Sequence, residues 1–345
     1  MSAVQAAAGA AAAKVVDTLT ARKHGLVGMS VLRILVGLVI LVDLAIHVPV
    51  RMQLWGPESW YTVEKLARDE RLGLSLLGLG NSALAVDLGL LALAAAAVLL
   101  VVGWRTVLVT PVLWALLWGL HERNPYLTNG GDNLVRILLV YMIFAQLDAR
   151  WSLTARVRAR REDGVRRPER EWLGNLVHNL ALAACVAQLG VLYLSSGLYK
   201  AQGEMWQEGT AVYYITRVAE YSAWPEVTAL LLRSPLVITL ATYGSVLLQI
   251  AFVFCLANRR ARHLVFVGLV GMHVGIGFLM GLPIFSAFMV AADVLLFTDA
   301  EWERGLARVA AWRRARAAQG ALAADAPAPV THRPATAGGT RAVLS

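Results

Sequence analysis

The sequence predicts an all-α fold, a polytopic bundle of about eight membrane-spanning helices with both termini in the cytoplasm. Composition carries this first: 58% of residues are hydrophobic and 16% are charged, where a soluble domain carries about 25% charged residues. Patterning carries it next, because the apolar residues come in blocks of about 15–22, the length that crosses a bilayer. Charge placement is the third observation. The net charge is +9, but the excess is gathered into a few short segments, as topology signals are. Nucleic acid is therefore not an expected partner, whereas the lipid bilayer is.

Residues 1–25 form a cytoplasmic lead. The alanine-rich start precedes the basic pair Arg22–Lys23, which is the wrong order for a signal peptide. The first span runs from Leu26 to Ile46 and holds Arg33 and Asp43, ten residues apart. Ten residues is nearly three helical turns, so both fall on much the same face. Charges inside a span face the protein interior, either as a structural pair or as part of a polar cavity. Residues 47–82 leave the membrane, with Trp55 and Trp60 as interface anchors and an amphipathic surface helix from Tyr61 onward. The second span, Ala83 to Val102, carries Asp87, and the third, Thr106 to Leu120, carries Trp114 and Trp118 on one face.

The connection HERNPYLTNGGDN at 121–133 is rich in turn formers and crowded with ionisable groups. Asp132 can cap the next helix or join Asn133 in a polar site. The fourth span runs from Leu134 to Leu147. Residues 148–172 hold eight arginines, a cytoplasmic loop by charge bias or a patch for anionic lipid. The fifth span, Leu173 to Ser195, runs into GLYKAQGEMWQEGTAVYYITR at 197–217. There Lys200 sits where hydrocarbon gives way to water. It can snorkel its ammonium to the interface or, desolvated, act as a base. The sixth span is Leu236 to Leu256, followed by the basic turn 258–263. The seventh, Leu264 to Leu282, holds His273, either bonded to a neighbour or part of a site. The short eighth, Pro283 to Phe297, holds Asp293. The membrane domain thus covers 26–303. Residues 304–345 form a basic helical piece and then an Ala/Pro-rich disordered cytoplasmic tail. Cys185 and Cys255 each lie within an apolar block, and no metal-ligand spacing is present.

With the N-terminus inside, the basic segments 22–23, 103–105, 148–172, 258–263 and the stretch from Arg304 all fall on one side. The connections 121–133 and 197–217 then share the extracytoplasmic side, which suggests one site.

Three stretches resemble the HTTM membrane family, whose best-known members are the vitamin K-dependent γ-carboxylases. They are the first span with Arg33 and Asp43, the run SGLYKAQGEMWQEGTAVYYI, and the run MHVGIGFLMGLPIFSAFMVAADVLLFTDAEW. The resemblance implies a membrane enzyme in which Lys200 matches the base that deprotonates a reduced, vitamin K-like quinone. Oxygen and carbon dioxide are then the co-reactants, and the product is a carboxylated glutamate. His273 matches the family's helix histidine, and Asp132 stands where the animal enzymes carry a functional histidine. A carboxylate cannot take over an imidazole's hydrogen bonding unchanged. The expected site is Lys200 as base, with Asp132, Asn133, Trp206, Glu208, His273, Arg33 and Asp43 as cavity partners.

The loop 121–133 is also similar to bacterial members related to the proteins that mature sporulation-delaying toxins. The expected setting is a bacterial plasma membrane. The expected substrate is a small exported peptide, with a membrane or soluble maturation partner. Two other readings are a non-enzymatic partner in toxin maturation, export or immunity, and a carrier using Arg33, Asp43 and Asp87.

Overall fold

The computed structural model describes residues 3–68, 82–160 and 168–324. All regular structure among them is helical. The helices are α1 (Ala3–Thr20), α2 (Leu26–His47), α3 (Arg51–Leu54), α4 (Val63–Arg68), α5 (Ala83–Val102), α6 (Thr106–Arg123), α7 (Gly130–Ile143) and α8 (Leu153–Arg160). They continue with α9 (Pro168–Ala201), α10 (Glu204–Gln207), α11 (Ala211–Ile215), α12 (Pro225–Leu231), α13 (Pro235–Cys255), α14 (Arg259–Leu279), α15 (Pro283–Asp293) and α16 (Asp299–Ala324). Most of the expected surface helix from Tyr61, part of the arginine-rich loop and the Ala/Pro-rich tail lie outside the described residues.

The chain divides into two units, 1–299 and 300–345. In the first, α2 packs on α5, α5 on α6, α6 on α7 and α7 on α9. The sequence of packing then continues through α13 and α14 to α15, which returns to α2 and α7. The described part of the second unit is helical through Ala324.

Outward faces are apolar: Leu84, Leu88 and Leu91 on α5, Leu236, Leu240 and Leu247 on α13, and Leu264 and Val267 on α14 are all exposed. Such faces suit lipid, and the polar side chains turn inward. Five helices are long and apolar enough to cross a membrane, or six if a broken C-terminal pair counts as one. The third, fourth and eighth expected spans correspond to α6, α7 and α15, of 18, 14 and 11 residues. At about 1.5 Å per residue, α15 covers little more than half of a bilayer core.

Local chemistry sets the ends. Ser82 caps α5, Ser234 caps α13 and Asn258 caps α14, each accepting from a first-turn N–H. The N-terminus of α2 has no local side-chain cap. The Asp299 carboxylate instead accepts from the N–H groups of Leu26 and Val27, at 3.1 and 2.7 Å. Helix α7 starts at Gly130, earlier than expected, because Asn129 and Asp132 close a capping box before it. Nothing breaks α9 before Gly203, so the helix runs on past Ser195. Lys200 therefore lies in its last turn, and the loop expected from residue 197 begins later.

Arg33 is fully buried, at 0% exposure. Its guanidinium donates to the carbonyls of Leu100, Val101, Leu147, Arg150 and Trp151. They lie at the end of α5 and in the stretch after α7, where helical pairing runs out; the Leu100 carbonyl also accepts from the Gly103 N–H. At the same end of the bundle, Lys23 donates to Gln146 at 2.7 Å, and burial lowers its pKa.

Candidate functional site

The other end of the bundle holds two cavities. The first, about 450 Å³, lies between the 200–216 segment, α13 and α14. Lys200 and Trp206 line it, with Gln249 of α13. Gly197 brings these elements together. A Cβ there would fall 2.7 Å from Ile250 Cγ1 and 3.1 Å from the Ile250 backbone nitrogen, so only glycine permits this approach of α9 to α13. One turn later, Lys200 Nζ donates to Gln249 Oε1 at 3.0 Å and lies 5.4 Å from the Trp206 ring centre. Among the described residues no carboxylate pairs with it. Its neighbours are an amide oxygen and an indole face, and neither carries a negative charge.

The turn bearing Trp206 is held by Tyr243, whose hydroxyl donates to the Gln207 carbonyl at 2.6 Å. Gly209 has a φ of 75°, and its α-carbon faces the Tyr243 ring. A side chain would be both strained and crowded there. The far wall is glycine. A Cβ at Gly244, Gly271 or Gly275 would meet nothing within 4 Å. All three line the cavity, with Leu248, Met272 and Ile276. The glycines make room for a flat apolar body beneath an ammonium group.

Behind this wall is a buried relay. The Tyr193 hydroxyl donates to the Asp293 carboxylate, 3.0 Å from each oxygen, and lies 3.1 Å from His273 Nε2. With its proton given to Asp293, the tyrosine oxygen is placed to accept from the Nε2–H tautomer of His273. His273 is 1% exposed, and its Nδ1 is left without a partner among the described residues.

The second cavity, about 270 Å³, is lined by Asp43, His47, Trp55, His121, Asn124 and Asp132, closed by residues 281–285. Asp43 pairs with His47 at 3.1 Å. Asp132 gives one oxygen to the Asn129 N–H at 2.8 Å, and its other oxygen is 3.9 Å from His121 Nε2. A short turn separates the cavities, since Met280 lines the first and Gly281 the second.

Lys200 and Trp206 thus share the apolar cavity, with His273 just behind it, whereas Asp43 and Asp132 share the polar one. The loops 121–133 and 197–217 come to the same end of the bundle but line different cavities. Asn133 is exposed and accepts from Arg136 at 3.2 Å, lining neither. Glu208 is exposed in its turn and lines neither. Arg33 is committed to backbone carbonyls at the opposite end. Asp87 pairs with Arg51, away from both cavities. Sequence reasoning missed Gln249, Tyr193, His47 and Asn124 as site residues. Each is a polar residue in or beside an apolar span, and that was the one available signal.

The chain is similar to an uncharacterised protein of Bacillus subtilis, YitO, 25% identical over 236 residues, which covers 66% of this chain and 72% of the relative. No protein-family model and no solved structure matches it.

Proposed function

We propose that the chain is an HTTM-like, γ-carboxylase-like membrane enzyme with eight spans and cytoplasmic termini. It modifies a small exported peptide from the extracytoplasmic side, using Lys200 as base. The observation that carries this is the Lys200 ammonium, set at the rim of an apolar cavity with no carboxylate among the described residues to hold its charge. The cavity fits a reduced quinone: its glycine wall leaves space that a Cβ would fill, and Lys200 and Gln249 supply polar atoms at one edge. A bound reduced quinone, with oxygen, supplies the oxidation that drives removal of a γ-proton from glutamate before carbon dioxide adds.

The chain's own residues hold and move the first proton. Gln249 accepts from Lys200 Nζ and fixes its position. Trp206 covers one side of the ammonium and limits water. Exclusion of water favours the neutral amine, which is the form that takes a proton. His273, oriented through Tyr193 by Asp293, presents a fixed imidazole behind the wall.

The test is mass spectrometry of exported peptides from cells with and without the gene. A carboxyl increment on glutamate is expected only with the gene. It should be lost in Lys200→Ala and equally in Lys200→Arg, since arginine keeps the charge but does not deprotonate. Full activity in Lys200→Arg would make the residue an anchoring charge. A peptide that needs the gene for export but carries no added carboxyl group would favour the maturation-partner reading.

A further inference from the structure

We infer that the polar cavity between α2, α6 and the start of α7 is a binding site for a primary ammonium group. The inference is independent of the reaction at Lys200. Two carboxylates, Asp43 and Asp132, line the cavity beside the imidazoles of His47 and His121. The nearby Arg136 is already engaged by Glu122 at 3.4 Å. Arg123 donates to the Tyr61 and Gly56 carbonyls. Among the described residues no lysine or arginine lines the cavity, and its one close charge contact is Asp43 with the imidazole of His47, so acidic groups outnumber fixed cations there.

Two buried polar atoms on the lining add to this. Asn124 is 1% exposed, and its Nδ2 donates to the Leu54 carbonyl at 2.9 Å. That bond fixes the amide's orientation and leaves Oδ1 as an acceptor with no partner among the described residues. His121 is 9% exposed, and its Nδ1 has no partner either. Its Nε2 stands 3.9 Å from Asp132 Oδ1, too far for a hydrogen bond and open to bridging by a third group. A buried polar atom without a partner is costly, and here two line one small space.

Their chemistry selects the ligand. Carboxylates and an amide oxygen accept, so the guest must donate several hydrogen bonds and carry positive charge. Among the described residues no three His, Cys, Asp or Glu side chains are grouped to hold a metal ion. An ammonium group, with three N–H donors on one centre, suits this spread of acceptors. The volume of about 270 Å³ admits an amino-acid side chain, and Trp55 and Phe285 flank its carbon stem.

The experiment uses the full-length protein in lipid nanodiscs and saturation-transfer NMR titrations. Four probes are compared: N-acetyl-lysine amide, leucinamide, N-acetyl-norleucine amide and N-acetyl-trimethyllysine amide. Lysine amide should bind about tenfold or more tightly than the norleucine analogue, as expected for charge-assisted bonds. The trimethyl analogue, which lacks N–H donors, should lose that advantage. Tighter binding of leucinamide than of lysine amide would identify an amino terminus as the source, and the reverse a lysine side chain. Asp43→Asn and Asp132→Asn should each weaken the ammonium probes about tenfold, with melting temperatures showing that both variants fold. Equal binding of the norleucine analogue overturns the inference. So does no detectable binding of either ammonium probe, or wild-type affinity in both folded variants.

Discussion

Arg33 serves the fold rather than chemistry. Its fork reaches five carbonyls on two stretches of chain, and lysine cannot replace it there. A lysine has three donors at one point, against five spread over a plane. Arg33→Lys should lose at least two charge-assisted bonds and about 3 kcal/mol or more of stability, read as a lower melting temperature in detergent. Asp43→Asn, whose partner is the half-exposed His47, should melt near wild type. Tyr193 offers a second test. Tyr193→Phe removes one oxygen and leaves Asp293 and His273 Nε2 without their partner. The expected cost is about 2 kcal/mol. Asp293→Asn should cost less, because the amide oxygen still accepts from the hydroxyl.

At the scale of elements, the glycines of α14 oppose stability to function. Gly271 and Gly275 sit inside the helix, where glycine costs about 0.5–1 kcal/mol relative to alanine. Their positions have empty space beyond them. Gly275→Ala should therefore raise the melting temperature. It should also weaken binding of a reduced naphthoquinone, measured by titration in nanodiscs, and Gly275→Leu should weaken it further. Gly197→Ala should behave oppositely and cost about 1–3 kcal/mol, because its Cβ meets backbone. The helices themselves were legible from runs of apolar residues: Ala83–Val102 was expected and found with the same ends. Lys200 and Trp206, read from the sequence as base and cavity wall, line one cavity, and they are local in sequence. The division of the site into two cavities was not legible. It depends on which helix faces which, and an apolar span shows little periodicity because both its core and its lipid faces are apolar. For the same reason Arg33 could be seen to need partners, but not that they are carbonyls more than 60 residues away.

At the scale of the whole molecule, α6, α7 and α15 decide how many times the chain crosses. Each is short or ends in polar residues. Helices α7 and α15 pack among the longer helices, whereas α6 keeps Val107, Leu108 and Val112 exposed on an outward face. At its far end α6 buries His121, Glu122 and Arg123 against its neighbours, away from hydrocarbon. The proposed sides rest on the charge bias. Arg150, Arg156, Arg158 and Arg160 follow α7, and Arg259, Arg260 and Arg262 follow α13. The connection 124–129 has no lysine or arginine. The proposed topology has the first two groups in the cytoplasm and the last outside, following the positive-inside rule. Single cysteines test this in a background with Cys255 replaced by serine and the buried Cys185 kept. In intact cells a membrane-impermeant maleimide should label Tyr126→Cys and Ala223→Cys, both exposed. Val157→Cys and Ala257→Cys should label only after the membrane is opened. The inverse pattern would turn the molecule over and put Lys200 in the cytoplasm. Labelling of Tyr126→Cys and Val157→Cys from one side would show that α7 does not cross.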